Sequence, residues 1–209
     1  QSVFEGIKAY KREDGSVWTF RPGYNAARLN HSARRLALPE LSREDFVASL
    51  VDYVRADVKW VPDVDGSSLY LRPFMFASEE FVGVHPAGVV DYYVIGSPSG
   101  PYVKGGLSGV AIWVEREYHR AGPGGTGSAK AGGNYAASLL PQIQAEAKGF
   151  SQVCFLDTYE GKYLEELGGM NMFGVMADGT IRTPELTGVI LEGGTRSAIL
   201  RMLRDQGVD

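Results

Sequence analysis

From Ser97 to Gly106 the chain reads Ser97-Pro98-Ser99-Gly100-Pro101-Tyr102-Val103-Lys104-Gly105-Gly106. Proline lacks an amide donor and fixes φ, while glycine is the residue most costly to order. Neither a long helix nor an interior strand runs easily through such a stretch. It is therefore expected to be a linker, residues 98–106, between a smaller α/β domain over 1–97 and a larger one over 107–209. A chain of 209 residues with 44% hydrophobic content has enough material for both cores.

Within the first part, Val3 to Lys11 reads as a strand and Val17 to Arg21 as its hairpin partner, across the turn Glu13-Asp14-Gly15-Ser16. A helix is expected from about Tyr24 to Ala37. A second begins after Ser42, an N-cap candidate with Asp45 three residues on, and runs to about Lys59 with Phe46, Leu50, Val54 and Val58 on one face. Strands follow at Ser68–Ala77 and Val89–Gly96. Alternation along the former places Tyr70, Arg72, Phe74 and Phe76 on one face, and Leu69, Leu71 and Met75 on the other. An arginine between aromatics either pairs structurally or reaches into a pocket, where its fork suits a carboxylate.

In the second part, strands are expected at Leu107–Glu115, Gln152–Asp157, Lys162–Leu167 and Asn171–Met176, with a hairpin turn at Asp178-Gly179. A helix over about Asn134–Lys148 carries Pro141, expected to kink it. The last helix has Thr195 as candidate N-cap and an apolar stripe of Ile199, Met202 and Leu203. The lone Cys154 excludes an internal disulfide and a cysteine-based zinc site, and reads as a buried thiol. The three histidines have no metal-ligand spacing, so no metal is expected. Net charge of −4 argues against nucleic acid as a partner, and no apolar run is long enough to span a membrane. A cytoplasmic protein is expected. The chain opens at Gln1 directly into a strand and stops just after a helix, which is expected of an internal segment.

The chemistry-bearing stretch is Gly124-Gly125-Thr126-Gly127-Ser128-Ala129-Lys130-Ala131-Gly132-Gly133-Asn134-Tyr135. The charged run Arg116-Glu117-Tyr118-His119-Arg120 leads into it. One lysine stands among bare backbone just before a helix, where a second object can approach it closely. A flexible glycine loop with an incidental lysine is the plainer reading. Further on come Glu165-Glu166 at a strand end and Leu186-Thr187-Gly188-Val189-Ile190-Leu191-Glu192-Gly193-Gly194-Thr195. That second stretch is either an ordinary helix start or a cradle of amide donors for an anion. Arg28 adds a cation on an early helix. An amine, a carboxylate and an anion cradle are what pyridoxal phosphate requires of a protein.

Seven stretches in order resemble the branched-chain amino acid aminotransferases, class IV pyridoxal phosphate enzymes. They are Val3-Phe4-Glu5-Gly6-Ile7-Lys8-Ala9-Tyr10, Phe20-Arg21-Pro22, Arg28-Leu29-Asn30-His31-Ser32-Ala33, Ser68-Leu69-Tyr70-Leu71-Arg72-Pro73, Lys130-Ala131-Gly132-Gly133-Asn134-Tyr135, Glu166-Leu167-Gly168-Gly169-Met170-Asn171 and Leu186-Thr187-Gly188-Val189-Ile190-Leu191. The resemblance implies a mixed α+β, α/β architecture, the two-domain fold type IV shared with D-amino acid aminotransferase. It implies transamination of leucine, isoleucine and valine with 2-oxoglutarate, in a homodimer. Lys130 is then the Schiff-base lysine and proton carrier, Glu166 the partner of the pyridine nitrogen, and Tyr135 the partner of the phenolic oxygen. Arg28 and the backbone of Val189 and Ile190 take the phosphate, and Leu186 packs on the ring. Phe4, Tyr70, Arg72 and Tyr102 bind substrate, with Arg72 receiving the distal carboxylate of glutamate or 2-oxoglutarate.

D-amino acid aminotransferases and aminodeoxychorismate lyases would share Lys130 and Glu166. The stretches around Arg28 and Tyr70 favour the branched-chain group. A non-catalytic module binding a phosphorylated ligand would account for the glycine loops but not for the order of the motifs. Gly169 departs from the threonine that many relatives carry. The family's remaining phosphate and substrate-carboxylate loop is expected beyond Asp209, and part of the pocket before Gln1.

Overall fold

The computed structural model describes residues 1–101 and 108–208. The chain divides into two compact units, Gln1–Ser108, with a five-stranded sheet, and Gly109–Asp209, with a three-stranded sheet and a separate two-stranded one.

The first unit is organised around one long central strand. Its strands are β1 (Ser2–Phe4), β2 (Ile7–Lys11), β3 (Val17–Thr19), β4 (Ser68–Ala77) and β5 (Val90–Ser99), with helices α1 (Pro22–Arg35) and α2 (Arg43–Ala56) between β3 and β4. Every pairing is antiparallel. β5 runs along one edge of β4 for its whole length, while β1 and β2 share the other edge, with Val3 opposite Met75 and Ile7 opposite Leu71. The single strand expected over Val3–Lys11 is thus two. The break falls at Glu5-Gly6, where the Glu5 amide bonds the Pro73 carbonyl at 2.7 Å and a side chain on Gly6 would collide with the Tyr70 hydroxyl. β5 continues three residues past Gly96, through Pro98, which an edge strand tolerates because no neighbour needs its missing amide.

The two helices cover one face of this sheet. Leu29 and Ala33 of α1 and Phe46 and Leu50 of α2 meet Val3, Ile7, Leu69, Leu71 and Met75 in a sealed core. Pro22 occupies the first turn of α1, so the helix starts two residues before Tyr24. Ser42 caps α2 as expected, its hydroxyl accepting from the Asp45 amide at 3.0 Å. α2 ends at Ala56, and a short 3-10 turn covers Val58–Trp60 in place of the last expected turn.

The first strand of the second unit is β6 (Ile112–Glu115), followed by the glycine loop, α3 (Gly132–Ala136) and α4 (Leu139–Ala147); of the strand expected over Leu107–Glu115, residues 108–111 are not strand and Leu107 lies outside the described residues. β7 (Gln152–Leu156) pairs parallel to β6, and β8 (Leu164–Leu167) antiparallel to β7. The loop and both helices therefore form the crossover that a parallel pair requires. The continuous kinked helix expected over Asn134–Lys148 is instead two helices, separated at Ala137-Ser138. Pro141 falls in the first turn of α4, where a missing amide breaks no helical hydrogen bond. Ala145 of α4 packs on Val153 and Phe155 of β7.

The hairpin of β9 (Gly174–Val175) and β10 (Ile181–Arg182) turns at Asp178-Gly179, and only this short part of Asn171–Met176 is strand. α5 (Gly194–Asp205) closes the described chain. Its N-cap is Gly193 rather than Thr195, with no side-chain cap, and Ile199 and Met202 of the expected apolar stripe are exposed. Cys154 is a buried free thiol. Among the described residues no helix is long and apolar enough to cross a membrane, and no group of His, Cys, Asp or Glu could hold a metal ion.

Candidate active site

The residues of the glycine loop are fixed by one another. Asn134, buried at the start of α3, donates to the Thr126 and Ala129 carbonyls at 2.7 and 2.8 Å, and accepts from the Thr126 hydroxyl at 2.7 Å. This closes the loop around residues 126–129 and delivers Lys130 immediately before α3. Tyr135, one helical turn on, accepts a hydrogen bond from Lys130 Nζ at 2.7 Å. The loop is tied down by these bonds, and two residues that the family resemblance names, Lys130 and Tyr135, meet at its end.

A second loop seals against the first. The Ser128 amide bonds the Gly188 carbonyl at 3.1 Å, and Gly188 has the left-handed φ of 94°. Val189 and Ile190 are buried here, whereas Leu186 is partly exposed. Asn171 fastens the other end of this segment, donating to the Leu191 carbonyl at 2.9 Å and accepting from the Gly193 amide at 3.1 Å, just before α5.

Glu166 lies between the two loops. The residues alone leave Glu165 and Glu166 as a pair, of which the family resemblance singles out Glu166, and the strand separates them, because successive side chains of β8 point to opposite faces. Glu165 lines a cavity of ≈ 660 Å³ together with Asp157, Tyr163, Glu185, Val189 and Ile190. Glu166 is buried and accepts on Oε1 from the Leu191 amide at 2.9 Å. The same oxygen is 2.7 Å from Nη1 of Arg120, an equally buried guanidinium. Burial pushes the Glu166 carboxyl up to about 7, against the downward pull of Arg120, of the Leu191 amide and of the Lys130 charge. Lys130 and Glu166 are therefore within electrostatic reach of each other.

Arg120 was not singled out by the sequence, where it is one charge among several in the run 116–120. Its position is set by Glu115 at the end of β6, whose Oε1 accepts from the amides of Arg116, Glu117 and Tyr118 and folds the chain back towards the loop. A buried carboxylate accepting three amides, with its carboxyl held below the ordinary value by those bonds against burial, has no sequence signature beyond its being a glutamate.

The remaining expected site residues belong to the first unit. Arg28 of α1 forms a two-point ion pair with the fully buried Glu5, Nε to Oε1 at 2.8 Å and Nη2 to Oε2 at 2.7 Å, with Asn25 donating to the same carboxylate at 2.8 Å. That pairing was not anticipated. Phe4, Tyr70 and Arg72 do cluster, on the sheet face opposite the helices. The Arg72 guanidinium lies 4.6 Å from the Phe4 ring centre and donates to the Tyr70 hydroxyl at 2.8 Å. Tyr102 lies outside the described residues.

Residues 2–209 match the family model "Amino-transferase class IV". The chain is 53% identical over 211 residues to a branched-chain-amino-acid aminotransferase of Mycolicibacterium smegmatis, covering 99% of this chain and 57% of the relative. It is 48% identical over 208 residues to branched-chain-amino-acid aminotransferase 2 of Bacillus subtilis, again covering 57% of that protein. Its structure is similar to that of the Thermoproteus uzoniensis branched-chain aminotransferase with norvaline, at a TM-score of 0.85 and 28% identity, over 99% of this chain and 66% of that one. It is also similar to the T.th. branched-chain amino acid aminotransferase complexed with N-(5'-phosphopyridoxyl)-L-glutamate, at a TM-score of 0.82 and 29% identity, over 100% of this chain and 65% of that one. The chain spans less than two thirds of the length of each of these four proteins. By the family match across nearly its whole length and by its fold, it belongs to the class IV aminotransferases.

Proposed function

We propose that this protein is a pyridoxal phosphate enzyme that transfers the amino group of leucine, isoleucine or valine to 2-oxoglutarate, with Lys130 forming the Schiff base. The observation that carries the reading is the pairing, within one unit, of a Lys130–Tyr135 hydrogen bond with a buried Glu166 close enough to feel the lysine's charge.

The residues present fit this cofactor. Oε1 of Glu166 already has two strong donors, while among the described residues Oε2 receives one long bond, 3.4 Å from Asn171. A buried oxygen with remaining acceptor capacity suits a protonated ring nitrogen. The left-handed Gly188 and the segment leading to α5 suit a phosphate. When bound, the cofactor supplies an aldehyde for amines and a ring that withdraws electrons from the substrate's α-carbon.

The chain's own groups do the rest. Lys130 Nζ would be the base that takes and returns the substrate's α-proton. The Tyr135 hydroxyl, 2.7 Å away, orients that amine. Glu166, as a carboxylate, would accept a hydrogen bond from the ring N–H and so keep that nitrogen protonated. Arg28, Val189 and Ile190 bind phosphate and Leu186 packs on the ring in this reading, and Phe4, Tyr70, Arg72 and Tyr102 bind substrate. Support in the first unit comes from the Phe4–Arg72–Tyr70 cluster, which offers aromatic surface to an aliphatic chain and one cation to a carboxylate. An unpaired carboxylate among aromatics would otherwise be prohibitive. Assembly as a homodimer follows the same family reading.

The test is leucine:2-oxoglutarate turnover by the purified protein supplied with pyridoxal phosphate. Turnover abolished by Lys130→Ala is expected. Absence of turnover with leucine, isoleucine and valine alike, alongside turnover of D-alanine or of aminodeoxychorismate, would reassign the substrate within the fold.

A further inference from the structure

The geometry points to Arg120 as the positioning residue of this site: it favours the ionised form of Glu166 against burial and orients the carboxyl so that Oε1 faces the protein and Oε2 is presented to the ring. The inference rests on the reading above that a pyridine ring binds beside Lys130.

Glu166 and Arg120 are almost completely enclosed, with side chains 5% and 3% exposed. A buried carboxyl keeps its proton unless a charge or several donors favour the ionised form. The charged groups that act on Glu166 among the described residues are Arg120 and Lys130, which favour ionisation, and Glu165, adjacent in the chain but on the other face of β8, which opposes it. Lys130 is the reacting amine of the proposed function, so its charge is not a fixed feature of the site. Arg120 is then the one permanent cation in the set, because a guanidinium does not deprotonate in proteins.

Its orientation is fixed as well as its charge. Nη1 also donates to the Val189 carbonyl at 3.1 Å and lies 3.4 Å from the Gly127 carbonyl. The guanidinium carbon is 5.9 Å from the Tyr135 ring centre. One side chain thus touches the lysine loop, the segment before α5, the carboxylate and the tyrosine. Asn171 does not compete for the role. Its amide is anchored to Leu191 and Gly193, and its approach to Oε2 is long. A neutral Glu166 would offer a proton to the ring nitrogen rather than accept one, and the ring would lose the positive charge that makes it electron-withdrawing.

The test is titration of Glu166 by carbon-13 NMR of side-chain-labelled glutamate, assigned by its loss in Glu166→Gln, in wild type, Arg120→Met and Arg120→Lys, each with and without pyridoxal phosphate. Arg120→Met is expected to raise the Glu166 midpoint by about one unit or more, the size of effect a neighbouring opposite charge exerts, with Arg120→Lys intermediate. It is also expected to weaken pyridoxal phosphate binding about tenfold in the wild-type background and hardly at all in Glu166→Gln, because a residue acting through another shows no separate effect once the other is gone. An unchanged midpoint in either variant overturns the proposal. So does an equal loss of cofactor affinity in both backgrounds, which marks a merely structural residue. Should Arg120→Met not fold, Arg120→Lys alone decides by the same midpoint. If the wild-type protein takes up no pyridoxal phosphate, the functional reading fails, while the titration still judges the hold of Arg120 on Glu166.

Discussion

Gly127 and Val189 touch backbone to backbone: a β-carbon built on Gly127 would run into the Val189 carbonyl and the Ala121 side chain. That carbonyl also accepts from Arg120, so the close approach sets the spacing on which the arginine and Glu166 depend. Gly127→Ala is expected to cost about 1–3 kcal/mol, as overpacking of a tight interior does. Gly133, six residues on and inside α3, has open space around its α-carbon. Gly133→Ala is expected to be neutral or to stabilise by up to about 1 kcal/mol, from helix propensity. Thermal unfolding of the two variants checks the contrast, and equal losses would contradict it.

Glu166 makes stability depend on pH in an unusual direction for a carboxylate. Its carboxyl holds a proton to about 7 in the folded protein, against an ordinary 4.5. Between those values the folded state binds more protons than the unfolded one, so this group's contribution falls as pH rises from about 4.5 to about 7 and is level above that. Glu165, raised by burial and by Asp157, adds a slope of the same sign. Glu115 and Asp157 are lowered, Asp157 to about 2, and lose their contribution only as pH falls below the window. Urea unfolding of cofactor-free wild type and Glu166→Gln at pH about 5 and about 8 should show a smaller decline in the variant. Parallel declines would mean that Glu166 titrates as an ordinary carboxylate.

Arg72 is expected to distinguish the two half-reactions. A charge-assisted pair is worth roughly 1.5–3 kcal/mol, so Arg72→Met should raise KM for 2-oxoglutarate about tenfold or more and leave KM for leucine within about threefold. The two constants are read from steady-state kinetics with the second substrate saturating. Equal changes would remove the carboxylate role from Arg72.

Local rules made much of this structure legible. Ser42 followed by Asp45 announces a cap, and the structure has that cap. Alternation along β4 sorts Leu69 and Leu71 to the core and Tyr70 and Arg72 to the opposite face. Lys130 and Tyr135 were singled out by the family resemblance, and the structure joins them by a hydrogen bond across the start of α3. What depended on distant partners was not legible. Only the family resemblance separates Glu166 from Glu165 in the sequence, because the physical difference is which face of β8 meets Arg120 and Leu191. Arg120 looks like any other charge in its run, because its significance comes from the Glu115 carboxylate that folds the preceding turn. The split between α3 and α4 shows a related limit. Pro141 signals a helix irregularity, but only the structure shows a helix beginning just before it rather than bending at it. Thr195 satisfies the sequence rule for a cap, yet the cap lies two residues earlier at Gly193, whose amide is held by Asn171.

The most direct test of the account is covalent. The purified protein is supplied with pyridoxal phosphate, its visible absorbance is recorded, and it is then reduced with borohydride, digested and mapped by mass spectrometry. The account predicts a visible band that disappears on reduction and a phosphopyridoxyl adduct on the peptide carrying Lys130, absent in Lys130→Ala. An adduct confined to another lysine, or no adduct, would contradict it.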